Sequence, residues 1–233
     1  MEKMKSRFKF PSTQHMIVMG DNNIRGDKLM TDSEREDFLT RHIYIEEKID
    51  GANVGVDFDS DGNMIVRNRG KFVDDFSGQW KKFPSFRRSH EDRFFEYLSD
   101  RYILFGEWMY ACHSIFYNNL PDYFIGFDIF DKQEEKFLGY TPRNKMFEKL
   151  GVYEIPNLGV GKFTFEQVQD ILLNTHSEFG DELIEGVYLR TNTCEDQLWL
   201  GKRCKIVRPA FTQAIEEHWS RKAIRPNLLA ASK

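Results

Sequence analysis

The chain has 233 residues, 40% hydrophobic and 15% aromatic, enough to close a substantial core and to exclude wholesale disorder. A formal net charge of -4 excludes a general polycation, so phosphate chemistry would have to use two local basic groups: Lys81, Lys82, Arg87, Arg88 and Arg93, then Lys202, Arg203, Lys205 and Arg208. Three cysteines (Cys112, Cys194, Cys204) exclude a disulfide framework or zinc site; with no signal core and no apolar run of membrane length, a reducing, cytoplasmic setting is expected.

A helix is predicted over Asp32 to His42. The run Glu47-Lys48-Ile49-Asp50-Gly51-Ala52-Asn53 then places a lysine at the start of a β-hairpin. In that hairpin Val54, Val56 and Phe58 alternate with smaller or polar residues, Asp59 to Asn63 turns, and Met64 to Arg69 returns. Glu91 to Leu98 reads as helix, and Arg101 to Tyr110 with Tyr123 to Asp131 as two adjacent strands. Pro142 to Leu150 opens with a proline in its first turn and stops at Gly151. Thr164 to Leu173 begins with a capping-box pattern, Thr164 and Gln167. Ile184 to Arg190 and Arg203 to Val207 form a third strand pair around the polar stretch Thr191 to Gln197. Pro209 to Trp219 carries apolar residues at helical spacing. With no repeat and no linker, the expectation is one α+β domain of mostly antiparallel sheets flanked by helices.

Lys48 is a candidate nucleophile. A free lysine amine is inert at neutral pH, its pKa being ~10.4, and lowering that by about three units costs on the order of 4 kcal/mol. Burial and nearby cations are expected to do this, the cations being Lys205, Arg203 and a bound metal. Alone, the motif is no more than a strand lysine. Four later segments change that. Glu107 is a single carboxylate in the apolar strand Phe105-Gly106-Glu107-Trp108, suited to ribose hydroxyls. Phe127 lies beside Gly126, leaving room for a flat base to stack. Glu185, before Gly186, offers an oxygen ligand for Mg²⁺. Arg203 and Lys205 share a strand face and would clamp a phosphate. The six histidines show no ligand spacing.

In this order the segments resemble the covalent nucleotidyltransferases, the superfamily of ATP-dependent ligases and mRNA capping enzymes, from about Phe10 to Trp219. Glu47 to Asn53 is most similar to the Glu-Lys-x-x-Gly-x-Asn signature of RNA ligases of the second phage type; capping enzymes and DNA ligases more often have arginine where Asn53 stands. The resemblance implies a nucleotidyltransferase (ATP-grasp-like ligase) fold and an RNA ligase using ATP and Mg²⁺ or Mn²⁺. It implies that Lys48 takes AMP from ATP, Glu47 sits against adenine, Phe127 stacks on it and Glu107 holds the ribose. Arg67 or Arg69 would contact phosphate, Glu185 would bind the metal, Arg203 and Lys205 would contact the α-phosphate, and Asn53 would orient RNA ends, with Asp128 in support. The first cation of the last motif, commonly lysine, is here Arg203.

RNA with 3′-OH and 5′-phosphate ends is the expected partner, lying along Lys81 to Arg93, with no membrane. DNA ligases and capping enzymes continue into an oligonucleotide-binding barrel, and the phage RNA ligases into a C-terminal domain. Here residues 209–233 read as a helix and tail completing a single domain over 1–233. Such a chain is a minimal ligase or a fragment, with a partner protein as one candidate source of end specificity. A small DNA ligase, a capping guanylyltransferase and an inactive RNA-binding protein of the same fold are the competing readings.

Overall fold

The computed structural model describes residues 8–20, 29–191, 202–209 and 224–231. In chain order its elements are β1 (Gln14–His15), α1 (Asp32–Leu39), β2 (Ile43–Lys48), β3 (Ala52–Phe58), β4 (Met64–Asn68), β5 (Lys71–Phe72), α2 (Phe83–Leu98), β6 (Tyr102–Trp108), β7 (Phe124–Asp131), β8 (Lys136–Phe137), α3 (Tyr140–Leu150), β9 (Tyr153–Glu154), β10 (Asn157–Gly161), α4 (Phe165–Asn174), β11 (Gly186–Thr191) and β12 (Arg203–Val207). They form two sheets. One has the order β1-β12-β11-β2-β10, the other β5-β4-β3-β6-β7-β8 with β9 beside β7. The β1–β12 and β7–β9 pairs are parallel and the remaining ladders antiparallel.

Period-two alternation sorts each sheet into a core face and a cavity face. On the first sheet Ile43, Ile45, Val187, Leu189, Cys204 and Ile206 pack with Phe38 of α1 and with Val168 and Leu172 of α4. On the second, Val54, Val56, Phe58, Leu104 and Trp108 pack with Phe83, Phe86, Phe94 and Leu98 of α2 and Phe147 of α3. Glu46, Lys48, Tyr188 and Lys205 from the first sheet and Asn53, Glu107 and Phe127 from the second then line one shared cavity.

Local chemistry sets several boundaries. Thr164 accepts the Gln167 N–H at 3.3 Å while Gln167 accepts the Thr164 N–H at 2.8 Å, the capping box that starts α4. Gly151, at φ +68°, closes α3 in the left-handed conformation. Helix α1 ends at Leu39 rather than His42, because Thr40 turns its N–H back onto Asp37. Helix α2 starts at Phe83 rather than Glu91: Pro84 suits a first turn, and Arg87 donates to Glu91 one turn on at 3.0 Å.

One expectation is corrected. Lys48 does not open the hairpin of β3 and β4. It ends β2, which belongs to the other sheet, so Ile49-Asp50-Gly51 is a crossover between sheets. The helix expected over Pro209 to Trp219 and the polar stretch Thr191 to Gln197 lie almost wholly outside the described residues. Among the described residues no helix is long and apolar enough to cross a membrane.

Candidate active site

Lys48 stands opposite Gly186 in the β2–β11 ladder, which brings its amine to Glu185 just ahead of β11. Lys48 Nζ donates to both Glu185 oxygens, at 2.7 and 2.6 Å. The crossover behind it is tightly held. Asp50 Oδ2 accepts the Ser114 N–H at 2.7 Å, and the Asp50 N–H donates to Tyr117 Oη at 2.9 Å. A side chain at Gly51 would place its Cβ 2.5 Å from Met109 Sδ and 3.0 Å from the Trp108 carbonyl oxygen, so only glycine passes here unstrained.

The electrostatics reverse the expected state of the amine. Burial pushes the Lys48 pKa down, but Glu185, Asp50 and Glu107 together outweigh it and hold the value above that of an ordinary lysine. Arg203 was expected to help depress it, but its guanidinium is committed to Asp128. Three carboxylates therefore converge on one ammonium, and the excess negative charge shows in Glu107. Burial first, then Asp50 and Glu185, raise its pKa from 4.5 to about 8 against the pull of Lys48. Burial likewise lifts Glu47 to about 7, opposed by hydrogen bonds from Ser177 and Glu178.

These shifts carry a signed consequence. The folded pKa of Glu107 lies above its ordinary value, so the folded state binds the extra proton and stability falls as pH rises from 4.5 through about 8. Glu107→Gln is neutral throughout and is expected to flatten that decline in thermal melts. A slope equal to wild type would remove Glu107 as its source.

Asn53 pairs with Glu107 across β3 and β6, and both line the cavity of about 440 Å³ together with Glu46, Glu47, Lys48, Arg69, Phe127, Asp128 and Lys205. That volume is typical of a pocket for a small molecule. Glu107 Oε2 and Glu47 Oε1 are buried with no hydrogen-bond partner among the described residues. Such orphaned acceptors fit hydroxyl and amino groups of a ligand. Phe127 is braced edge-on by Phe10, centroids 5.0 Å apart at 80°, and runs nearly parallel to Phe105 at 6.5 Å.

The two candidate arginines separate cleanly. Arg69 lines the cavity from a left-handed turn (φ +47°), whereas Arg67 is buried farther along the hairpin face that carries Asn53 and Gly55, and donates to Asp57 Oδ1 at 2.5 Å. Arg203 and Lys205 do share a strand face, but only Lys205 lines the cavity. Arg203 is buried beneath it on Asp128, with its guanidinium 5.2 Å from the Phe137 ring centroid.

Several site residues carried no readable signal in the sequence. Arg143 of α3 is fully buried and donates to Glu46 Oε1 at 2.6 Å and to the Phe127 carbonyl at 2.7 Å, tying the two sheets together. Arg190 reaches the same carbonyl at 3.3 Å and Asp128 Oδ1 at 3.2 Å. The segment Lys9 to Thr13 and His15 forms another wall, with Thr13 Oγ1 3.1 Å from Tyr188 Oη.

Among the described residues no cluster of three or more His, Cys, Asp or Glu side chains makes a metal cage. Glu185 in its acid-rich surroundings suits a hard cation that takes its other ligands from phosphate and water, as Mg²⁺ commonly does.

A profile of the RNA ligase family matches residues 41–207. No curated protein matches the sequence. Among solved structures the fold is similar to a Naegleria gruberi RNA ligase with PPi, at 20% identity and TM-score 0.59, covering 78% of this chain and 54% of that one. It is also similar to a point mutant of that ligase with ATP and Mn (16% identity, TM-score 0.58, 78% and 54% covered) and to another with AMP and Mn (16% identity, TM-score 0.56, 76% and 53% covered). At these identities the likeness establishes a shared fold, and the chain spans about half the length of the matched structures. The family profile extends over more than half of the chain and takes in Lys48, Glu107, Phe127, Glu185 and Lys205; the chain belongs to the RNA ligase family.

Proposed function

We propose that this chain is an ATP-dependent RNA ligase joining RNA 3′-OH and 5′-phosphate ends through lysyl-AMP and adenylylated RNA. The observation that carries the reading is Lys48, hydrogen-bonded to Glu185 at the end of β2 in a cavity that Glu107, Phe127, Arg69 and Lys205 also line. In the first step the Lys48 amine attacks the α-phosphorus of ATP. A nitrogen–phosphorus bond forms, the bond from Pα to the bridging oxygen breaks, and pyrophosphate leaves. The ammonium must first lose a proton, and Glu185 Oε2, 2.6 Å away, is the nearest acceptor; burial and Asp50 raise its pKa above the ordinary carboxylate value over the opposing pull of Lys48. Glu185 is also the carboxylate that would hold Mg²⁺ or Mn²⁺, which when bound supplies counter-charge to the phosphates.

The other residues position the reactants. Phe127 offers a ring to the adenine, its plane fixed by Phe10. The orphaned oxygens of Glu47 and Glu107 take nucleobase and ribose donors. Lys205 and Arg69 face the phosphates, and Asn53 and Asp128 complete the wall on which RNA ends are oriented. RNA lies along the basic start of α2, with affinity falling as salt rises. The two sheets and their helices act as a nucleotidyltransferase domain in a cytoplasmic setting.

Purified protein incubated with α-labelled ATP and Mg²⁺ is expected to become covalently labelled and to seal RNA. Labelling by GTP in preference to ATP would redirect the assignment to capping, and sealing of nicked DNA alone to a DNA ligase. Lys205→Ala is expected to slow labelling about 10²–10³-fold with little change in melting temperature, the usual cost of losing one donor to a charge that develops in the transition state. A wild-type rate in that variant would refute its phosphate contact.

A further inference from the structure

The segment Ile224–Ala231 lies against the connection between β6 and β7 and is held mainly by hydrogen bonds. Asn227 is fully buried (0% exposed), whereas its neighbours Leu228 and Leu229 are 50% and 44% exposed. The Asn227 side-chain amide donates to the Met109 carbonyl at 2.7 Å and to the Ala111 carbonyl at 3.4 Å, and its oxygen accepts the Tyr117 N–H at 3.0 Å. Backbone bonds extend the seam: Cys112 N–H to Arg225 O (2.8 Å), Asn227 N–H to Tyr110 O (2.9 Å), Leu228 N–H to Tyr117 O (2.9 Å) and Ala230 N–H to Leu120 O (2.8 Å). The Arg225 guanidinium stacks 3.8 Å from the Phe116 ring centroid.

The other side of that same connection holds the nucleophile motif. Ser114 donates to Asp50, Tyr117 Oη accepts from Asp50, and Met109 Sδ fills the space that a side chain at Gly51 would need. Tyr117 therefore bonds the strap through its backbone and the motif through its hydroxyl. A connection of this length has little regular structure of its own, and such loops are rarely ordered without a reason. Met109, Ile115, Tyr117 and Leu120 anchor this connection by apolar burial, and along the strap its backbone is fixed by the three directional hydrogen bonds of Asn227 together with the strap's own backbone bonds.

We infer that Ile224–Ala231 is a positioning strap for the nucleophile, and that Asn227 is its key residue, holding residues 109–120 in the shape that fixes Asp50 and, through it, Lys48. The inference rests on the ligase reading for its kinetic consequence alone. A displacement of about 1 Å at a reacting group is worth up to ~10²-fold in rate. In the full chain, Asn227→Ala is expected to slow lysine adenylylation about 10–100-fold at saturating ATP while leaving the KM for ATP within about twofold. Leu229→Ser, at a residue 44% exposed whose side chain makes none of these hydrogen bonds, leaves the rate unchanged.

Amide exchange is the readout that needs no activity. Asn227→Ala speeds exchange at Asp50 and Ser114 about 10-fold or more and leaves the β11–β12 ladder unchanged. A merely structural residue would loosen all of these alike. Tyr117→Phe removes the hydroxyl at the far end of the relay, and combined with Asn227→Ala it adds little to the kinetic loss. Should Asn227→Ala fail to fold, Arg225→Ala loosens the strap more mildly and shifts the same two amides. Unchanged exchange at Asp50 and Ser114 in a folded strap variant, or strictly additive kinetic losses, overturns the inference. A wild-type protein that forms no adduct overturns the ligase reading instead, and the exchange arm still judges the strap.

Discussion

Asp128→Asn is expected to destabilise the fold by about 3–5 kcal/mol and to lower the melting temperature by roughly 10 °C. Among the described residues, three arginine side chains, Arg143, Arg190 and Arg203, are buried beneath the cavity around the carboxylates of Glu46 and Asp128. Asp128 receives both Arg190 and Arg203; burial opposes its charge, yet these arginines hold its pKa below the ordinary carboxylate value. An asparagine keeps the shape but removes the negative charge that two buried guanidinium groups share, and removing one partner of such a cluster is far costlier than the cluster's net worth. The sign with pH follows, since a depressed folded pKa means that this stabilisation is lost as pH falls below the ordinary 3.8. Adding Arg203→Met to Asp128→Asn removes one of the two buried cations that face the neutralised position and is expected to recover part of the loss in urea denaturation. Wild-type stability of the single variant would mean that the arginines are neutralised elsewhere.

The second large effect is on chemistry alone. Lys48→Ala is expected to abolish covalent labelling, and Lys48→Arg to abolish it equally while melting near wild type. The pair of variants separates two roles that share one side chain. Arginine keeps a cation against Glu185, Asp50 and Glu107, so the acid-rich crossover stays balanced, whereas alanine leaves these carboxylates facing one another and should melt lower. Neither can form the adduct, because guanidinium stays protonated and is no nucleophile at neutral pH. Labelling retained by Lys48→Arg would place the nucleophile on another residue.

What could be read from the chain divides by the range of the interaction. The β3–β4 hairpin, the Thr164 capping box and the Gly151 stop were legible because each depends on residues a few positions apart. The face of each strand was legible too: alternation puts Arg203 and Lys205 on one side and Cys204 and Ile206 on the other. Alternation says nothing of which sheet a strand joins, so the crossover at Ile49-Asp50-Gly51 looked like the approach to a hairpin.

The buried charges were hidden for a similar reason. Arg143 follows a helix-opening proline and reads as a solvated residue, as most arginines are. Its partner Glu46 lies on β2, 97 positions away. Arg203 keeps the face that its alternation assigns to it, but its pairing with Asp128, 75 positions away, had no local signal. The Lys48 amine was read from its expected cations, when in the fold its close neighbours are carboxylates.

The most direct test is peptide mapping of the covalent adduct after incubation of the intact protein with ATP and a divalent cation. AMP on the Lys48 side chain, released as RNA is sealed, is the predicted result. AMP carried on any other residue, or no covalent AMP on a protein that nevertheless seals RNA, would contradict the mechanism built on that amine.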